Sequence, residues 1–246
     1  MKLLISVRSV EEALLAARNG ADLIDLKEPG AGALGALPLP TIREIVTVLR
    51  GQGIALPISA TVGDWLMTQR TAILERVGAV AACGVDMVKV GIEAQPSLHD
   101  ARALLTALAA CGQTVAPVFI ADRGIDLDLV EHAAALGFAA AMVDTADKHT
   151  GSLFETVTLD TLASIVRRLR ERGVEVGLAG ALRPSHAALL AMLAPDFAGF
   201  RTAVCARDRT STLDTQRLRA LSAALDPTRV PATDQPLSVG SDIARW

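Results

Sequence analysis

The feature that most constrains the fold of this chain is an alternation of strand-like and helix-like segments, repeated eight times. Each short apolar, β-branched run is followed by an Ala- and Leu-rich amphipathic segment, a pattern typical of βαβ units and a parallel sheet. The predicted strands are Lys2–Ser6, Asp22–Lys27, Leu56–Thr61, Asp86–Gly91, Thr114–Phe119, Ala139–Asp144, Glu175–Gly180 and Ala198–Thr202. An open doubly wound α/β sheet would also alternate, but eight repeats in 246 residues favour a closed (β/α)8 barrel.

The ends of the predicted helices fit this alternation. Capping-box spacing follows three of the strands, in the pairs Ser9 with Glu12, Thr41 with Glu44, and Ser97 with Asp100. Glycines that suit a left-handed cap stand shortly before five strands, at positions 20, 84, 112, 137 and 173. No linker interrupts this frame, so we predict one barrel domain over residues 1–226 and a polar, Pro-containing tail over residues 227–246.

Composition argues against several classes of partner. The formal net charge is −3 and aromatic residues make up only 3% of the chain, so no nucleic-acid-binding surface is expected. No apolar run approaches the roughly 20 residues of a membrane span, and the apolar N-terminal stretch is too short for a signal sequence. We therefore expect a cytoplasmic protein without a membrane partner.

The cysteines and histidines do not suggest a metal site. Cys83, Cys111 and Cys205 lack CxxC spacing and are expected to be reduced thiols used as small core residues. Neither HxH nor HExxH spacing occurs, so no metal is predicted. The sequence leaves open a homo-oligomer formed through the helical faces of the barrel.

Lysines fall at the carboxyl ends of three predicted strands, where barrel enzymes carry their chemistry. Lys27 ends the second strand, Lys89 is near the end of the fourth, and Lys148 follows the sixth. A single lysine at a strand end is more often a solvated side chain, but this interpretation weakens for three lysines on alternate strands.

Side-chain alternation directs two of these lysines into the barrel. Asp25 and Lys27 share one face of the second strand, opposite the apolar pair Ile24 and Leu26, which should face the helices. Lys89 lies between two valines that should likewise face the helices, so its side chain is also predicted to point inward.

Carboxylates are expected beside these lysines, because an unpaired buried charge is strongly destabilising. Asp25, Asp86 and Asp144 are the candidates, with Asp144 at the rim. A lysine that is crowded by a second cation and partly desolvated loses its proton more readily and can attack a carbonyl carbon to form a Schiff base. The cluster predicts aldolase-type chemistry, in which a second lysine or an aspartate moves protons at the adjacent carbon.

Small residues after the last two predicted strands suit a phosphate site. Gly180 ends the seventh predicted strand and Ala181 follows it, while Thr202 ends the eighth and Ala203 follows it. Barrels often hold a phosphate there on exposed backbone N–H groups, so we predict a phosphorylated substrate. The competing interpretation is that Gly177 and Gly180 only permit close packing.

Residues 30–35 spell GAGALG, which matches the dinucleotide-binding pattern literally. We reject that function because Pro38 and Pro40 separate the glycines from the predicted helix start at Thr41, and no acidic residue ends the next strand. The segment is instead expected to form a mobile loop over the barrel mouth.

His149, next to Lys148, is a further candidate site residue.

Three segments together resemble the (5-formylfuran-3-yl)methyl phosphate synthases: DLKEPGAGALGA after the second strand, VKVG at the fourth and VDTADKHTG after the sixth. The resemblance extends from residue 1 to about residue 225. It implies condensation of two glyceraldehyde 3-phosphate molecules into a furan aldehyde phosphate, with loss of one phosphate and of water. This reaction makes the furan of methanofuran or of a related C1 carrier, and no cofactor is expected.

The resemblance also implies roles for individual residues. The Schiff-base lysine of the family matches Lys27, and its proton-transfer lysine matches Lys89. Asp25, Asp144 and Lys148 match further residues that the family uses in its pocket.

Two other functions stay open at this point. A Schiff-base aldolase of the deoxyribose-phosphate aldolase or transaldolase type would use the same lysines and phosphate loops. A non-catalytic phosphate-binding barrel would bind the triose without forming an adduct. Product identity separates the two enzymes, because a furan absorbs ultraviolet light and a simple aldol product does not.

Overall fold

The computed structural model of the protein describes residues 1–32, 34–146 and 151–225. Within these ranges, eight parallel strands form a closed barrel in which each strand pairs with its neighbour along the chain. The strands are β1 (Lys2–Val7), β2 (Leu23–Leu26), β3 (Ile58–Thr61), β4 (Met87–Ile92), β5 (Val115–Ile120), β6 (Ala140–Asp144), β7 (Glu175–Leu178) and β8 (Phe197–Phe200). The predicted (β/α)8 barrel is therefore confirmed.

Helices alternate with the strands and surround the barrel. They are α1 (Val10–Arg18), α2 (Leu39–Gly51), α3 (Arg70–Ala81), α4 (Leu98–Ala109), α5 (Leu127–Ala135), α6 (Leu153–Thr156), α7 (Leu159–Glu171), α8 (Ala187–Leu193) and α9 (Thr215–Leu225). In the described part of the chain, no helix has the length and apolar character needed to span a bilayer. Lys148, His149 and the predicted tail over residues 227–246 lie outside the described residues.

Most predicted helix ends agree with the structure. Ser9 and Ser97 cap α1 and α4, each accepting a hydrogen bond from the backbone N–H three residues later. The five predicted cap glycines all have positive φ, between 72° and 101°. The predicted start of α2 at Thr41 is wrong, because the helix already begins at Leu39 and Pro40, with its fixed φ, occupies the first turn.

The eighth strand is shorter at its carboxyl end than predicted. It stops at Phe200, because Arg201 leaves the extended conformation with φ −136° and ψ −67°. Thr202–Val204 then form one turn of 3-10 helix. The predicted phosphate residues 202 and 203 therefore lie in this turn, and Thr202 is not part of the strand as predicted.

Apolar side chains of the strands fall into two layers, as the alternation predicts. Ile24 and Leu26 of β2, and the valines at 88 and 90 of β4, pack outward against the helices. A smaller cluster fills the barrel axis and consists of Leu4, Leu23, Leu34, Met87, Ala116, Val118, Ile120, Ala140, Met142, Ala179 and Phe197. The middle of the barrel interior is thus a packed apolar core.

Gly177 lets β7 pass directly beside an aromatic ring on the barrel axis. A Cβ built on Gly177 would lie 2.1 Å from Cε2 of Phe197, whose side chain is fully buried. The packing interpretation is therefore correct for Gly177.

We expect Gly177→Ala to lower the free energy of unfolding by about 1–3 kcal/mol, because an added methyl group overpacks the core. Urea denaturation of the purified variant measures this loss. Gly78→Ala is the control, since Gly78 lies within α3 with open space around it, and alanine there should keep or raise stability by up to about 1 kcal/mol. Equal stability of the two variants would contradict the packing argument.

Candidate active site

A layer of polar side chains lies immediately above the apolar cluster, at the carboxyl ends of the strands. Four strands each supply an inward polar residue two positions after an inward apolar one: Ser6 after Leu4, Asp25 after Leu23, Lys89 after Met87, and Asp144 after Met142. Because side chains two residues apart share a face of a strand, apolar packing below fixes the direction of the polar groups above.

Asp25 and Lys89 form a buried ion pair in this layer, with Oδ1 and Nζ 2.9 Å apart. Register places Ser6 and Ser59 on the two strands beside Asp25. The Ser59 hydroxyl donates to Asp25 Oδ1 at 2.7 Å and the Ser6 hydroxyl to Oδ2 at 3.1 Å. Asp25 and Lys89 are only 3% and 2% exposed, so these contacts replace water around the two charges.

Burial acts in opposite directions on the two members of this pair. It would raise the pKa of the Asp25 carboxyl, but the charges of Lys89 and Lys27 and the hydrogen bonds that Asp25 accepts outweigh it, and the pKa is lowered. Burial lowers the pKa of the Lys89 amine, and the attraction of Asp25 opposes this only in part. Lys89 therefore releases its proton at a lower pH than an ordinary lysine does.

Lys27 forms a second buried pair at the same end of the barrel. Its Nζ lies 3.3 Å from Asp144 Oδ2, and the Thr145 N–H donates to Asp144 Oδ1 at 2.7 Å. The backbone N–H of Lys27 donates to the carbonyl of Val7, which extends the pairing of β1 and β2 by one residue. The charge of Lys27 also contributes to the lowered pKa of Lys89. The predicted inward orientation of both lysines is confirmed.

One cavity reaches both ion pairs from the barrel mouth. Its walls include all four charged residues of the two pairs, together with Gly180, Ala181 and Thr202 from the predicted phosphate site. Ala203 follows in the 3-10 turn and is not among the residues that line this cavity. Gly180 and Ala181 both have positive φ, 110° and 45°, so this wall is a tight turn directly after β7.

The described residues of the GAGALG segment lie at the barrel mouth, where Leu34 lines the cavity. Leu34 belongs to the inner apolar cluster, and its Cδ1 would lie 2.8 Å from a Cβ built on Gly91. The Leu34 N–H donates to Asp64 Oδ1 at 3.0 Å, and the Thr61 hydroxyl donates to the carbonyl of Gly35 at 2.8 Å. These glycines do not open a helix, which agrees with rejection of the dinucleotide-binding function.

The expectation that Asp86 belongs to the site is wrong. Asp86 precedes β4 and lies at the opposite end of the barrel from Lys89. Its Oδ2 accepts hydrogen bonds from the N–H of Ile58 at 2.7 Å and from the Arg50 guanidinium at 2.6 Å. Asp86 therefore fixes the amino-terminal end of the barrel.

The sequence alone did not assign a site role to several residues that contact Asp25 or line this cavity. Ser6 and Ser59 could have been found, because they occupy inward positions next to Asp25. Arg201 and Arg209 also line the cavity, and both come from the segment after β8. That segment has no periodic pattern from which their positions could be predicted.

Comparison with known proteins places the chain in a family. A family model described as 4-HFC-P synthase matches residues 3–222. A Methylorubrum extorquens protein provisionally named (5-formylfuran-3-yl)methyl phosphate synthase is 39% identical over 218 residues, which cover 88% of each chain. The (5-formylfuran-3-yl)methyl phosphate synthase of Archaeoglobus fulgidus is 35% identical over 236 residues, covering 92% of this chain and 99% of that protein.

Among solved structures, phosphoribosyl anthranilate isomerase from Thermus thermophilus has a similar fold. Its TM-score is 0.63 with 18% sequence identity, covering 93% of this chain and 100% of the isomerase. This likeness concerns the fold alone. The family match, in contrast, extends over almost all of the described residues and includes both ion pairs, and this chain therefore belongs to the 4-HFC-P synthase family.

Proposed function

We propose that the protein condenses two molecules of glyceraldehyde 3-phosphate into (5-formylfuran-3-yl)methyl phosphate through a Schiff base on Lys27. The observation that carries the proposal is the convergence of two buried lysine–aspartate pairs on one cavity. The names of the relatives supply the product. Its furan would serve methanofuran or a related C1 carrier.

Lys27 is the better placed of the two amines for attack on an incoming aldehyde. It follows β2 at the rim, is 7% exposed, and lies 3.3 Å from its carboxylate, whereas Lys89 is 2% exposed and lies 2.9 Å from its own. The Lys27 amine adds to the aldehyde carbon, and loss of water from the carbinolamine gives the imine. Asp144 is close enough to exchange protons with the nitrogen and with the departing oxygen.

Lys89 is suited to the proton transfers that follow. Because its pKa is lowered, a larger fraction of this amine is uncharged near neutral pH than for an ordinary lysine. In that form it accepts the proton from the carbon next to the imine, and the resulting enamine attacks the second aldehyde. Two triose phosphates become the furan product on loss of one phosphate and two water molecules, so the atoms balance without an oxidant. Loss of phosphate makes the enzyme a carbon–oxygen lyase.

The phosphate of the substrate is assigned to the wall formed by the loops after β7 and β8. Gly180, Ala181, Thr202 and Ala203 are the residues proposed to meet it through backbone N–H groups. This assignment is supported by Gly180, Ala181 and Thr202, which line the cavity that Lys27 also lines.

Borohydride reduction in the presence of glyceraldehyde 3-phosphate tests the proposal. We expect a stable adduct on Lys27, located by peptide mass spectrometry among the four lysines of the chain, and an ultraviolet-absorbing product in the unreduced reaction. Omitting either the triose or the borohydride is the control. An adduct on Lys89 alone would reverse the roles of the two lysines. A product without furan absorption would indicate a simple aldolase. Absence of both adduct and product would indicate a non-catalytic binding protein.

A further inference from the structure

Among the described residues that line the cavity, one cation has no ion-pair partner once the other pairs are assigned. Lys27 and Lys89 each face an aspartate, and Arg201 on the same wall pairs with Glu12, whose Oε1 lies 3.0 Å from Nη2. Arg209 lines this cavity too, and no carboxylate in the described ranges forms an ion pair with its guanidinium. The charge of Arg209 is therefore available to a ligand.

The segment that carries Arg209 is held in place by bonds to its backbone. Arg201 Nε donates to the carbonyl of Arg209 at 2.9 Å, and Arg201 Nη2 donates to the carbonyl of Ser211 at 2.8 Å. Asp208 Oδ1 closes the turn by accepting from the N–H groups of Thr210 and Ser211. These contacts fix the backbone position of Arg209, and none of them involves its guanidinium.

The Arg209 side chain extends toward the GAGALG segment at the barrel mouth. Its Nη2 donates to the carbonyl of Gly32 at 3.1 Å, and this is the one hydrogen bond that the side chain makes within the described part of the protein. A guanidinium carries five N–H donors in a planar fork, so most of them stay available. The side chain is half-buried, which limits competition from water.

We propose that Arg209 binds the phosphate group of the substrate at the cavity mouth and thereby selects phosphorylated over unphosphorylated trioses. The inference rests on the proposed function and adds to it the side chain that neutralises the phosphate. A dianion that enters a cavity whose other described charges are already paired requires an additional cation. A guanidinium meets this need with two parallel hydrogen bonds to phosphate oxygens.

Glycerol 3-phosphate is the probe, because it carries the phosphate but has no carbonyl and cannot form an imine. Isothermal titration calorimetry should show binding to the wild-type protein and affinity about 10- to 100-fold weaker in Arg209→Ala, the loss expected for a charged hydrogen-bonded pair. Arg209→Lys keeps the charge without the fork and should fall between the two. Arg207→Ala is the matched control, since Arg207 is exposed on the same segment and does not line the cavity.

Arg209→Ala and Arg207→Ala with equal affinities would overturn the inference, as would absence of glycerol 3-phosphate binding to the wild-type protein. Thermal melting of each variant establishes that the barrel is folded. Failure of the proposed function has a different signature, namely no borohydride adduct with glyceraldehyde 3-phosphate, so the two ideas fail separately. Retained adduct formation at high triose concentration in Arg209→Ala would support a role in binding only.

Discussion

Lys27→Arg and Lys27→Ala should both abolish formation of the furan, with turnover falling by at least about a thousandfold. The arginine variant is the more informative one, because it keeps a positive charge opposite Asp144. A guanidinium stays protonated and cannot add to an aldehyde. Loss of activity in Lys27→Arg would therefore be a loss of the nucleophile, whereas Lys27→Ala also removes the ion pair.

Product absorbance and borohydride trapping measure this effect directly. Neither Lys27 variant should yield an adduct with glyceraldehyde 3-phosphate at residue 27 or elsewhere. Lys2→Arg is the control. Lys2 pairs with Glu175 at the opposite end of the barrel, so this substitution should leave turnover within about twofold of the wild type. If Lys27→Arg retained a tenth of the wild-type rate, the nucleophile would have to be a different residue.

Lys89→Gln should separate imine formation from the later steps. We expect the adduct on Lys27 to form as before, while product formation falls about 10²- to 10⁴-fold, the usual contribution of a general base. In the wild type the rate should rise with pH as Lys89 loses its proton. Since burial lowers the pKa of Lys89, this rise should come below the pH at which an ordinary lysine titrates, and it should be missing in Lys89→Gln.

The pH profile of product formation and the yield of reduced adduct are measured on the same samples. Asp25 keeps its hydrogen bonds from Ser6 and Ser59 in this variant, and glutamine can still donate to it, so the barrel should stay folded. Melting temperature verifies that point. A folded Lys89→Gln protein that forms no adduct would show that Lys89 is needed before the imine exists, and the assignment of roles would be wrong.

The inward direction of the site residues could be predicted because it depends only on the period of two in a strand. Lys27 and Asp25 alternate with apolar residues that the helices cover, and the structure follows that pattern. The same period of two excludes Asp86 from the site, because the alternation that turns Lys89 inward turns Asp86 outward. Its position at the start of β4 also places it at the wrong end of the barrel.

The arginines of the mouth could not be predicted from local pattern. Arg201 contacts Glu12 across 189 positions of sequence, and Arg209 contacts Gly32 across 177. Both contacts arise only because closure of the barrel brings the last βα unit beside the first two. The start of α2 at Leu39 could not be recognised for a different reason, because the N-cap residue is Pro38, which has no side-chain group to cap the helix.

The junction of β1 with β8 has a consequence for how the protein is made on the ribosome. Lys2 to Ile5 of the first strand pair with Phe197 to Phe200 of the last, and Arg201 secures the same seam through Glu12 and the carbonyl of Ser6. A nascent chain therefore carries two unpaired edges, on β1 and β7, until its final strand has emerged. Unpaired strand edges can pair with other chains, so this barrel is open to mispairing during synthesis until β8 closes it.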